Sequence, residues 1–232
     1  AQYMVVSTKG GALPLHDSVS LEQGATSVIN PLAASAFTEI AKKGGHNAIA
    51  LTAAASSLGR MVNRLASSEG IEVINVVRRD AQVELLRQQG ASIVLNSSDS
   101  GFDEALRDAC HQYDVHLAFD AVAGELTGRL LRALPSHGKV TVFGALSFEP
   151  PQVTPAQLIF ENKSVDGFWL GPYISTKNVV QTMLMWRRAQ KLLSTDLKSD
   201  IRAAYPLEDA PRAVEEYVSQ MTGGKVLLRP NA

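Results

Sequence analysis

Residues 47 to 59 constrain the fold more than any other stretch of the chain. Asn47-Ala48-Ile49-Ala50-Leu51-Thr52 is an apolar run with strand character. It passes through Ala53-Ala54-Ala55-Ser56-Ser57-Leu58-Gly59 straight into an amphipathic helix, whose inner face is marked by Met61, Val62, Leu65 and Ala66. A strand, a turn of small residues and a helix in that order form the local architecture that seats a dinucleotide pyrophosphate. The first turn of a helix leaves backbone N–H groups unpaired and carries the positive end of the helix dipole, so a phosphate settles there when no side chain blocks its approach. In this register the glycines of G-x-G-x-x-G fall on Ala54, Ser56 and Gly59, so two of the three are replaced. From the motif alone, an ordinary strand, turn and helix stays open as a reading.

The following strand adds a second constraint. Gly70 offers a left-handed stop, and Ile71-Glu72-Val73-Ile74-Asn75-Val76-Val77 then runs to Arg78-Arg79-Asp80. In a dinucleotide fold the residue about 20 positions beyond the glycine turn meets the adenosine ribose, where an acid accepts from the 2′-hydroxyl and an arginine accommodates a 2′-phosphate. Counting 19 from Gly59 reaches Arg78. A guanidinium presents a planar fork of donors to phosphate oxygens, whereas a carboxylate repels them, so the spacing predicts NADP(H) over NAD(H). The alternative is that both arginines are solvated charges at a strand end and Asp80 caps the next helix.

Downstream, strand and helix alternate: helix 80 to 89, strand 92 to 95, helix 102 to 112, strand 115 to 119, helix 125 to 134, strand 139 to 143. This rhythm predicts an α/β fold, a doubly wound parallel sheet covered on both faces. Ligands of such sheets lie outside the carboxyl ends of the strands. The turns that include Ala121 and Val122, and Gly144-Ala145-Leu146 after Phe143, therefore belong to the candidate crevice.

Composition excludes several classes. With 45% hydrophobic and 19% charged residues, 232 residues can bury a large core, and a formal charge of -1 gives no electrostatic case for nucleic acid or an anionic membrane. No segment approaches the ~18 apolar residues that span a bilayer, and no secretory signal pattern is visible. The single cysteine, Cys110, excludes an internal disulfide framework. A cytoplasmic globular enzyme is expected. The histidines at 16, 46, 111, 116 and 137 have no useful ligand spacing, so no metal is expected.

Several runs together carry a family resemblance: Ile29-Asn30-Pro31-Leu32, Ala55-Ser56-Ser57-Leu58-Gly59, Ile74-Asn75-Val76-Val77-Arg78, Val142-Phe143-Gly144-Ala145, and Leu158-Ile159-Phe160 through Gly167-Phe168-Trp169-Leu170. In that order they resemble the medium-chain dehydrogenase/reductase superfamily, in its zinc-independent branch of quinone oxidoreductases and trans-2-enoyl-thioester reductases. The resemblance implies a Rossmann domain at 27–168. Remnants of a GroES-like catalytic domain would stand at 1–26, and at 169–232 where the chain returns to it. Ala1-Gln2-Tyr3-Met4-Val5-Val6 resembles a late strand of that domain, whose earlier residues would be absent here.

The resemblance also implies site roles. Asn30 matches an asparagine near the nicotinamide, and Ser56, Ser57, Leu58 and Gly59 match the pyrophosphate turn. Arg78 and Arg79 match the 2′-phosphate site. Phe143 to Leu146 and Phe168, Trp169 and Leu170 match loops flanking the nicotinamide, and Lys225 matches a lysine reaching the cofactor. Trp169 could instead fill space between domains, and Lys225 could be a solvated edge charge. Ala33 stands where the family usually has threonine, removing a hydroxyl donor. Ile29 and Asn30 stand where zinc-dependent relatives place a ligand, and neither suits Zn²⁺.

The implied activity is NADPH-dependent reduction of an activated C=C bond in a small-molecule substrate, with NADPH:quinone oxidoreduction or a nucleotide-binding module without catalysis as alternatives. The family's proton donor is a tyrosine outside these residues, so no catalytic residue is assigned, and a homodimer through an edge strand is expected.

Overall fold

The computed structural model describes Val5 and residues 14–219 and 222–230. The N-terminal strand expected over Ala1–Val6 falls outside them except for Val5.

Two helices lead in: the short α1 (Leu21–Ala25) and the longer α2 (Ile29–Lys43). Strand and helix then alternate as β1 (Ala48–Thr52), α3 (Ser57–Ser68), β2 (Glu72–Val77), α4 (Asp80–Gln88), β3 (Ile93–Asn96), α5 (Phe102–Gln112), β4 (Leu117–Asp120), α6 (Glu125–Ala133), β5 (Lys139–Val142), α7 (Pro155–Ile159) and β6 (Ser164–Gly167). These strands form one parallel sheet in the order β3-β2-β1-β4-β5-β6. The order reverses between β1 and β4, which is where a doubly wound sheet opens its ligand crevice.

The period of two along the strands decides which helices cover which face. Ile49 and Leu51, Val73 and Val77, and Leu117 and Phe119 pack into one cluster with α2 and α3. Ala48 and Ala50, Ile74 and Val76, and Ala118 pack into a second with Phe102 and Leu106 of α5 and Leu130 and Leu131 of α6. Both faces are thus apolar, which explains why the strands read as continuous hydrophobic runs. Phe37 of α2 is fully buried and stacks on Phe119, with centroids 4.2 Å apart and planes at 16°. Its burial contributes roughly 1.5–3 kcal/mol, and the ring pair about 0.5–1.5 more.

The chain continues through α8 (Leu170–Ser175), α9 (Val179–Leu192), β7 (Ile201–Pro206), a 3₁₀ turn (Leu207–Asp209), α10 (Ala210–Ser219) and β8 (Lys225–Arg229). β7 and β8 form a separate parallel pair. α9 and the turn after it pack with the first cluster, where Trp186 and Ala189 of the helix and Leu193 and Leu197 beyond it are buried. Within 169–232, therefore, the core of the large sheet and the small second sheet both receive residues. Arg60 of α3 ties the two, its guanidinium 2.9 Å from Asp200. No helix among the described residues is long and apolar enough to cross a membrane.

The boundaries of the alternating elements fall within one residue of the sequence expectation, except at the start of β4. β4 begins at Leu117 and ends on Asp120. Asp114 at φ +50° lets the chain turn, and Val115 is buried as part of that turn.

Candidate cofactor-binding site

The turn after β1 is built to bring helix and strand close together. Ala53 takes φ +47°, a left-handed conformation that costs a residue with a Cβ about 1 kcal/mol. Ser56 then caps α3, its side chain accepting from the Gly59 amide at 3.1 Å. Gly59 cannot be replaced freely, because a Cβ there would lie 2.3 Å from the Ala54 carbonyl oxygen. Thus the third glycine of the motif keeps its packing role while serine serves as a cap at the second. The amides of Ser57 and Leu58 have no hydrogen-bond partner among the described residues. Two donors at the positive end of α3 are therefore free at the carboxyl rim of the sheet, where an anion is favoured.

Arg78 and Arg79 follow the last residue of β2 on the same rim, both exposed. Neither guanidinium has an ion pair or hydrogen bond among the described residues. The Arg78 backbone is fixed on both sides: its amide donates to Gln82 Oε1 at 3.1 Å, and its carbonyl accepts from Ser98 Oγ at 3.0 Å. Asp80 accepts from Asn96 Nδ2 at 2.8 Å, so it is held by the neighbouring strand and does not pair with the arginines.

A part of the site invisible in the sequence joins β1 to β4. Asp120 is completely buried, and its carboxylate accepts from Thr52 Oγ1 at 2.7 Å, Thr127 Oγ1 at 2.6 Å, the Val122 amide at 2.8 Å and the Ala123 amide at 3.2 Å. Thr52 in turn accepts from the Ala121 amide at 2.8 Å. One charge, fully paid in hydrogen bonds, fixes the crevice floor and the course of Ala121 and Val122. The only signal for it is an aspartate directly after an apolar strand run, which reads equally as a turn residue.

The turn after β5 lies against this one. Leu146 and Ser147 donate from their amides to the carbonyls of Ala121 and Val122 at 3.1 and 2.9 Å, and a Cβ on Gly144 would sit 2.8 Å from the Ala121 oxygen. Ala145 and Leu146 are exposed, and Phe148 is 94% exposed with φ +59°. Beyond β6, Phe168 is half-buried on Phe37 at 4.9 Å, whereas Trp169 is 76% exposed with Leu170 behind it at the start of α8. Trp169 does not fill an interior among the described residues. Asn30 is half-buried in the first turn of α2, a helix whose N-terminus has no side-chain cap.

The structure thus brings Ser56–Gly59, Ala121, Val122, Phe143–Leu146 and Phe168–Leu170 to one rim, with Arg78 and Arg79 at its β2 end. Lys225 stands in the other sheet, where its ammonium lies 3.4 Å from the Tyr217 hydroxyl and 5.4 Å over that ring.

A parallel sheet of this order with an open helix end at its reversal defines a dinucleotide-binding domain of the doubly wound class. Residues 57–186 match the family model described as zinc-binding dehydrogenase, and the chain belongs to that family within the medium-chain dehydrogenase/reductases. It is 33% identical over 125 residues to a mitochondrial enoyl-[acyl-carrier-protein] reductase of Dictyostelium discoideum, covering 51% of this chain and 35% of that one. A Mesorhizobium loti structure provisionally described as an NADPH:quinone reductase is 34% identical, with a TM-score of 0.85 over 94% of this chain and 63% of the other. An enoyl thioester reductase from Candida tropicalis shares the fold at 20% identity, with a TM-score of 0.72 over 90% of this chain and 62% of the other. The chain therefore spans between about a third and two thirds of these relatives.

The zinc in the family's description finds no matching donor set in these residues. No group of three or more His, Cys, Asp or Glu side chains among the described residues could hold a metal. Ile29 is exposed and apolar, His16 bonds Ser18 at 2.8 Å, and His116 bonds Asp114 at 3.0 Å.

Proposed function

We propose that this chain binds NADP(H) and forms the cofactor half of an enzyme that reduces an activated C=C bond, such as that of an enoyl thioester. The observation that carries the cofactor choice is the pair of uncompensated guanidiniums, Arg78 and Arg79, closing β2 beside the open end of α3. The free amides of Ser57 and Leu58 would hold the pyrophosphate, with Gly59 allowing its close approach, and the arginines would grip the 2′-phosphate. Asn30, Phe143–Leu146 and Phe168–Leu170 would flank the nicotinamide, and Lys225 is assigned to the same cofactor. The bound cofactor supplies a hydride. Asp120 and Thr52 hold the floor rigid, so these groups need little reorganisation on binding.

No residue of this chain is assigned as proton donor. Burial and a hydrogen bond to Glu39 push the Tyr173 hydroxyl well above its ordinary range, which disfavours acid–base work there. The enoyl-thioester reading is supported by the resemblance to an enoyl-[acyl-carrier-protein] reductase, and the quinone reading by the Mesorhizobium protein. NADPH oxidation followed with crotonyl-CoA and with a quinone, using the intact protein, separates them. Tight NADPH binding without turnover on either would leave only a binding module.

A homodimer belongs to the same proposal. β6 ends the sheet with one neighbour, and Ile159 and Phe160, which precede it in the chain, are exposed, so a second copy would cover an open edge. Sedimentation of a monomer at high concentration would overturn this. Cytoplasmic location is likewise proposed, and fractionation of the tagged intact protein tests it.

A further inference from the structure

α8 carries no buried residue, yet the segment around it holds a compact set of charged and aromatic groups. Lys177, just after α8, is paired with both oxygens of Glu39 on α2, at 2.7 and 2.8 Å, and its side chain is only 9% exposed. The same ammonium lies 4.7 Å over the Tyr173 ring. Tyr173 meets Phe168 at 5.5 Å, and Phe168 meets Phe37 at 4.9 Å. An unbroken path thus runs from the ion pair to the residue that opens the turn after β6.

A buried ion pair adds little net stability compared with apolar packing, because desolvation offsets most of the attraction. What it adds is direction: an ammonium held by two oxygens and a ring face has one position. Glu39 lies on the helix whose first turn holds Asn30, so the pair joins two elements that flank the same region. We propose that Lys177 is a positioning residue which, through Glu39 and Tyr173, fixes Phe168–Leu170 against α2 and so sets the seat of the nicotinamide ring. This assignment rests on the NADP(H) reading above.

The test separates the two halves of the cofactor. NADPH and 2′,5′-ADP, which has the phosphorylated adenosine but no nicotinamide, are titrated calorimetrically into the intact protein and into Lys177→Met, Lys177→Arg and Glu39→Gln. Lys43, 2.6 Å from Glu39, leaves the carboxylate a partner when Lys177 is neutral, so Lys177→Met should fold. In Lys177→Met, NADPH should weaken about tenfold, as for one lost charge-assisted interaction, while 2′,5′-ADP binding holds. Lys177→Arg, which keeps charge and ring contact, should restore most of the loss. Equal weakening of both ligands, or of neither, overturns the assignment. If Lys177→Met does not fold, an unchanged ratio of the two affinities in Glu39→Gln does the same. Failure of the unsubstituted protein to bind either ligand would instead overturn the NADP(H) reading itself.

Discussion

The two ends of the carboxyl rim are built differently. From β1 to β2 the surface is finished: Gly59 presses on Ala54, Ser56 caps one amide, and the backbone of Arg78 is held from two sides. From β5 to α8 large apolar side chains stand in solvent, with Phe148 94%, Trp169 76% and Leu146 53% exposed. On the proposed reading the adenosine end is built from residues already held in place, whereas the nicotinamide end presents apolar side chains to solvent.

Substitutions that break this contrast should have graded effects. Asp120→Asn would turn a bond-accepting oxygen into a donor facing other donors, and should cost about 2–4 kcal/mol in denaturant unfolding while damaging both ends of the rim. Gly59→Ala forces a Cβ into the Ala54 carbonyl, and should cost roughly 1–3 kcal/mol of stability and abolish dinucleotide binding. Arg78→Ala should lower NADPH affinity by about 1.5–3 kcal/mol while leaving NADH binding unchanged, sharpening the contrast between the two ends. Phe148→Gly at the other end should raise stability by up to about 1 kcal/mol, since φ +59° strains a bulky residue and its ring is in water.

The α2–α8 junction predicts a pH effect. Burial alone would raise the Glu39 carboxyl, but hydrogen bonds from Lys177, Lys43 and Tyr173 outweigh it and bring it from 4.5 to about 2. Its folded value is the lower one, so its contribution is complete above about pH 4.5 and fades as pH falls toward 2. Glu39→Gln should flatten the acid limb of the stability profile within that window, by on the order of 1–2 kcal/mol.

Much of the sheet was legible because its signals are local. Small residues after β1, the left-handed stop at Gly70 (φ +73°) and the step from Gly59 to Arg78 all lie close together in the chain. The crevice floor was not legible, since Thr52 and Asp120 meet only through the β1–β4 register. Likewise nothing near Glu39 announces Lys177, and the ring cluster of Phe37 with Phe119, Phe143 and Phe168 exists only after four separate segments converge.

The most direct measurement is backbone amide NMR during titration with NADP⁺. The largest shifts should fall on Ser57, Leu58 and Gly59, with Arg78 and Arg79 moving for NADP⁺ and much less for NAD⁺. Silent Ser57 and Leu58 amides, with shifts confined instead to the cleft of Asn63, Ser67 and Gln89 between α3 and α4, would contradict the assignment of the cofactor to the open end of α3.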